Sequence, residues 1–186
     1  GAHAVLIDDL LLVHDTHGKA CQVVVIGGHG AGMLSGFAAD ERGTGLYAAF
    51  GNAGDDAILE AIQQSVRAAS DEVSLTVLSN DPELTRKQYG LNAIPRFHAW
   101  KVFSALRRCD VLLSGGGSLL QDTTSSLSLL YYLAVMHLAQ LLGKPVVVYA
   151  NGIGPIKSRR NERIAARALS KALWKPSAAR IPATKK

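Results

Sequence analysis

Asp110-Val111-Leu112-Leu113-Ser114-Gly115-Gly116-Gly117-Ser118-Leu119-Leu120-Gln121-Asp122 is the stretch on which the fold turns. An apolar run of strand type enters three consecutive glycines and leaves toward a long amphipathic segment. Such a run is costly, because glycine loses more backbone entropy on folding than any other residue. A chain keeps it at a strand-to-helix turn where another group must approach the backbone closely. Bare N–H groups at a helix N-terminus are the usual means of holding an anion. The stretch predicts a ligand site on an α/β sheet, with tight turn geometry as the alternative reason for the glycines.

Working outward, three more short apolar runs have the look of buried strands: Val23-Val24-Val25-Ile26, Leu75-Thr76-Val77-Leu78 and Val146-Val147-Val148-Tyr149. Helical patterns separate them. Ala57, Ile58, Ala61, Ile62, Val66 and Ala69 recur at helical spacing after Phe50-Gly51-Asn52-Ala53-Gly54-Asp55-Asp56. Asp81-Pro82-Glu83 supplies a cap, a first-turn proline and a first-turn acid, and Gly90 ends that helix. Trp100 to Arg108 forms another, a further one runs to about Leu142, and a basic one covers 158–172. Apolar strands alternating with helices predict an α/β fold, a Rossmann-like parallel sheet with helices on both faces. Ligands of such sheets sit at the carboxyl ends of the strands. The turns at 51–54, 115–117 and 152–154 are therefore expected on one rim.

Composition narrows the class. The chain has 186 residues, 48% of them hydrophobic, enough for one domain with a full core. The densest apolar stretch, Leu127 to Leu142, is interrupted by His137 and Gln140 and ends at Gly143-Lys144-Pro145, so no membrane span is expected. The start has no basic region followed by an apolar block, which predicts a cytoplasmic protein. Cys21 and Cys109 obey no metal spacing and are expected as free thiols. Net charge is +5, yet residues 157–186 hold ten Lys/Arg against Glu162, or +9, leaving −4 on the rest. A mildly acidic body argues against nucleic acid as a partner.

The three turns offer backbone donors together with Asn52, Ser114, Ser118, Gln121 and Asn151, a surface suited to a phosphate, a carboxylate or a sugar hydroxyl. None is a Walker A loop, since no Gly-Lys-Ser/Thr follows Gly115, and Met33 stands where 27–32 would need its last dinucleotide-binding glycine. Asp55 and Asp56 suit the first turn of a helix through its dipole, and would repel a phosphate placed there. At that turn a sugar hydroxyl or an amine is the better match. Asp122 is equally suited to capping and to ligand contact. His137, within an apolar helix, is expected in the core, and Arg107-Arg108 close a helix where positive charge favours the dipole. No metal site and no cofactor are expected.

Four motifs occur in order: Phe50 to Leu59, Leu78-Ser79-Asn80-Asp81-Pro82, Ser114 to Asp122 with Thr123-Thr124-Ser125-Ser126, and Gly143-Lys144-Pro145 with Tyr149-Ala150-Asn151-Gly152-Ile153-Gly154-Pro155. In this order they resemble the N-terminal half of the bacterial polysaccharide pyruvyl transferases of the CsaB type. The resemblance implies ketal formation from phosphoenolpyruvate on a sugar of a lipid-linked cell-wall polysaccharide precursor, at the cytoplasmic side of the membrane. In Gram-positive bacteria such polymers anchor S-layer proteins. It also implies a fold similar to two-domain GT-B transferases, with the active site between two Rossmann-like halves. Substrate contacts carried over are Gly51, Asn52, Gly54, Asp55, Asp56, Gly115, Gly116, Gly117, Ser118, Gln121, Asp122, Asn151, Gly152 and Gly154.

The frame expected from the resemblance is residues 46–170, preceded by a poorly defined segment 1–45 with one strand and followed by a basic disordered tail 171–186. Glu41-Arg42-Gly43-Thr44-Gly45 stands where the family places a strand, and no arginine lies near Leu127. The family's basic residues for phosphoenolpyruvate and its acid/base histidine belong to a second half. The expectation is a truncated homologue, inactive alone. Two alternatives stay open. One is a non-catalytic fragment whose basic helix, with Arg159, Arg160, Arg163 and Arg167, docks on an acidic membrane surface or a partner. The other is half of a nucleotide-sugar glycosyltransferase of GT-B type.

Overall fold

A computed structural model describes residues 21–26, 53–69, 73–115, 120–122, 126–149, 152 and 154–175. Strands and helices alternate along the chain: β1 (Cys21–Ile26), α1 (Ala53–Ala69), β2 (Val73–Ser79), α2 (Pro82–Tyr89), β3 (Asn92–Pro95), α3 (Ala99–Arg108), β4 (Val111–Gly115), α4 (Ser126–Leu141), β5 (Val146–Tyr149), α5 (Arg159–Ser170) and β6 (Leu173–Lys175). The six strands form one sheet in the order β3-β2-β1-β4-β5-β6, and every pairing is parallel. This is the doubly wound arrangement, whose strand order reverses between β1 and β4.

Alternation along the strands feeds two cores. Val24, Ile26, Leu112, Val146 and Val148 point to one face with Val102, Leu106, Leu129, Leu133, Met136, Ala165 and Ala168 of α3, α4 and α5. Val23, Val25, Val77, Val111, Leu113 and Val147 point to the other, with Leu59, Ile62 and Val66 of α1. Burial on both faces is why the central strands are apolar without a polar alternate.

Caps explain the boundaries of α2. The Leu84 N–H donates to Asp81 Oδ1 at 3.0 Å, Pro82 follows the cap, and Gly90 takes φ 65° while its N–H donates to Arg86 O at 2.9 Å. Gly143 does the same work beyond α4, at φ 71°.

One strand was not foreseen, and three expectations need correction. Asn92–Pro95 is a strand, although only Ala93 and Ile94 are apolar; it survives because β3 is an edge, where a proline without an N–H is tolerated. The expected disordered tail from 171 loses Leu173–Lys175 to β6, which pairs with β5. Residues 176–186 of that tail, and all of segment 1–45 except Cys21–Ile26, lie outside the described residues. Among the described side chains of α1 the buried apolar ones are Leu59, Ile62 and Val66, while Ala57, expected with them, is exposed. His137 is exposed on the outer side of α4, and Leu133 and Met136 occupy the core in its place.

Candidate functional site

In a parallel sheet every strand delivers its carboxyl end to the same rim. Here Ile26, Ser79, Pro95, Gly115 and Tyr149 are the last residues of β1 to β5. The expected substrate contacts that fall within described residues gather along this rim. Gly54, Asp55 and Asp56 occupy the first turn of α1, the helix that follows β1. Gly115 closes β4, paired with Tyr149, and a Cβ built on it would stand 3.1 Å from Ile62 Cδ1 of α1. Gly51, Asn52, Gly116, Gly117, Ser118 and Asn151 lie outside the described residues.

The loop after β4 and the loop after β5 interlock. The Gly154 N–H donates to Leu120 O at 3.2 Å, and a Cβ on Gly154 would come within 2.6 Å of both Cβ and Oε1 of Gln121. Gly154 is thus glycine because another stretch of chain crosses it. Gly152, two residues earlier, is exposed.

Asp122 completes the joint. Its Oδ1 accepts from the Lys157 N–H at 2.7 Å, and its Oδ2 from the Ser158 N–H at 3.1 Å and Asn161 Nδ2 at 3.3 Å. Those groups open α5, whose cap is Ser158. The carboxylate meets the unpaired donors and positive pole of a helix start, as an acid there should. The Lys157 N–H, followed by the Ser158 N–H and the Asn161 amide, holds the carboxyl below its ordinary value. Between capping and contact, the two roles open to Asp122 in the sequence, these bonds supply the capping one.

Arg96 went unnoticed in the sequence. It follows β3, its N–H donates to Ser79 O at 2.9 Å, and it is only 2% exposed. Among the described residues, Nε, Nη1 and Nη2 have no hydrogen-bond partner. Its guanidinium lies 4.7 Å from the ring centre of Tyr131, 5.3 Å from that of Tyr132 and 5.3 Å from that of Phe97. Tyr131 also donates its hydroxyl to Arg96 O at 2.9 Å. Burial raises the Tyr131 phenol, with the Arg96 charge pulling the other way. Each ring contact is worth about 0.5–2 kcal/mol, whereas a buried charge stripped of its partner costs roughly 3–5 kcal/mol. The rings hold the cation in place without satisfying its N–H groups.

Away from the rim, a cavity of about 370 Å³ lies between α3 and the sheet, lined among others by Gln22, Thr76, Ile94, Trp100 and Arg108. Cys109 borders it, and both thiols, Cys21 and Cys109, are pushed up to about 11, chiefly by burial and in smaller part by the Asp110 charge, with Lys144 opposing the rise at Cys109. Both cysteines are free. Among the described residues no group of three or more His, Cys, Asp or Glu is placed to hold a metal ion.

The family model described as polysaccharide pyruvyl transferase matches residues 52–174, from the residue before α1 into β6. No curated protein and no solved structure matches the chain. The match takes in five of the six strands and both interlocked loops of the rim, and the chain belongs to the polysaccharide pyruvyl transferase family.

Proposed function

We propose that the chain serves transfer of a pyruvyl group, as a ketal, from phosphoenolpyruvate to a sugar of a lipid-linked cell-wall polysaccharide precursor. The observation that carries this reading is the family match, which covers the rim's interlocked loops. In the reaction one sugar hydroxyl adds to C2 of the enol and its proton goes to C3, which becomes a methyl group. A second hydroxyl then forms the other C–O bond at C2, and phosphate leaves with that proton. Such chemistry needs a surface that orients two neighbouring hydroxyls. The backbone donors and small residues of the rim suit a sugar better than a second anion at α1, where Asp55 and Asp56 would repel a phosphate.

No described helix is long and apolar enough to cross a membrane. Approach to a lipid-linked acceptor at the inner face of a membrane is instead supported by α5, on which Arg159, Arg160, Arg163 and Arg167 are all exposed. Such side chains contribute about 1 kcal/mol each near anionic lipid. Salt-sensitive co-sedimentation with anionic liposomes is the expected result, and binding indifferent to salt rules the contact out.

The reaction is tested by supplying the chain with phosphoenolpyruvate and a lipid-linked acceptor bearing N-acetylmannosamine. Phosphate release that requires the acceptor is the result that supports the reading, and its appearance with the chain by itself would overturn the expectation that the chain is inactive alone. Saturable binding of a nucleotide sugar, with no binding of either proposed substrate, would favour a glycosyltransferase half instead.

A further inference from the structure

We propose that Arg96 is the centre of an oxyanion-binding site at the carboxyl rim, one that takes a carboxylate or phosphate group through two parallel N–H donors of the guanidinium. The observation is a fully buried cation whose Nε, Nη1 and Nη2 all lack hydrogen-bond partners among the described residues. Its planar fork matches two oxygens on one carbon or phosphorus, which is the geometry that arginine serves best. The surroundings leave that role open. Tyr131, Tyr132 and Phe97 present rings to the cation, and rings accept no conventional hydrogen bond. Tyr131 donates its hydroxyl to the Arg96 carbonyl, which fixes the backbone beneath the guanidinium, and the same phenol oxygen lies close enough to the guanidinium for the cation to oppose the rise of the phenol. Phe97 is 59% exposed, the outermost of the three rings, and packs on Tyr131 at 5.3 Å between centroids. An anion reaches the fork by displacing this ring. The site stands on β3, α3's approach and α4, and does not depend on the pyruvyl-transfer reading.

The full chain is titrated at constant ionic strength with inorganic phosphate, pyruvate and phosphoenolpyruvate, following melting temperature and binding heat. The expected result is a saturable rise in melting temperature with at least one of the three, since a ligand that binds only the folded state stabilises it in proportion to occupancy. Phosphate alone, pyruvate alone, or phosphoenolpyruvate above both identifies the group recognised. Arg96→Met removes the charge at similar length. It is expected to abolish the anion response while leaving the unliganded melting temperature unchanged or raised, because an unpaired buried charge has gone. Arg96→Lys keeps the charge without the fork and is expected to weaken binding about tenfold or more. No saturable response in the wild-type chain overturns the proposal. So does an equal response in either variant, or a fall in the unliganded melting temperature of Arg96→Met, which would make the cation a structural element held by its rings. The phosphate-release assay fails or succeeds separately, so the two readings can fall apart.

Discussion

Replacing Gly154 by alanine tests the interlocked loops most directly. The new methyl would sit 2.6 Å from Gln121 Cβ and from Gln121 Oε1. The amide end of Gln121 can swing aside, but its Cβ moves only with the backbone. That backbone is held on one side by buried Leu120, whose carbonyl accepts from Gly154, and on the other by the three bonds to Asp122. Overpacking of this kind costs about 1–3 kcal/mol, and stretching the Gly154 to Leu120 bond adds roughly 0.5–1.5 kcal/mol. A total of about 3 kcal/mol is expected, a fall of about 6–12 °C in melting temperature for a chain of this size. The partner variants sharpen the assay. Gln121→Ala in the Gly154→Ala background frees only the amide and recovers little, whereas Gln121→Gly removes the opposing Cβ and recovers most of the clash, less about 1 kcal/mol for the added glycine's backbone entropy. Thermal denaturation of six proteins (wild type, Gly154→Ala, each Gln121 single variant and each double variant) closes two double-mutant cycles. A neutral Gly154→Ala, or equal recovery by both partner changes, refutes the close crossing.

Asp122→Asn is expected to lower the melting temperature at neutral pH, with the gap to wild type closing in acid. The folded-state carboxyl lies below its ordinary 3.8, so its contribution is present above that value and is lost as pH falls through the lower folded one. A gap constant from pH 7 into strong acid would show that charge plays no part. Cys21 and Cys109, with thiols pushed up to about 11 by burial, should resist iodoacetamide at pH 8 in the native chain. Both should react in urea, and mass spectrometry showing prompt native modification of either would contradict its burial.

Much of the fold was legible. The runs Val23–Ile26 and Val146–Tyr149 declare buried parallel strands because both of their faces are covered. Asp81-Pro82 and Gly90 mark α2 because each end rests on one local interaction. β3 and β6 were illegible for the opposite reason. Edge strands bury less, so Asn92, Pro95 and Lys175 are tolerated and the apolar signal thins to one or two residues. His137 misled because composition around a residue says nothing of the side of the helix it takes. At the site, the glycine turns after β4 and β5 announced themselves, but the bonds joining them did not. Asp122 and Lys157 are 35 positions apart, beyond any local pattern. Arg96 belongs to no motif or period, and only its burial without partners distinguishes it from any surface arginine.

The carboxylate of Asp122 has a mechanical consequence. By gripping the start of α5 from the stretch that leaves β4, it removes the independence of two connections that would otherwise fluctuate separately. The twelve residues of α5, with their outward arginines, are thus anchored at their first turn to the stretch that leaves β4.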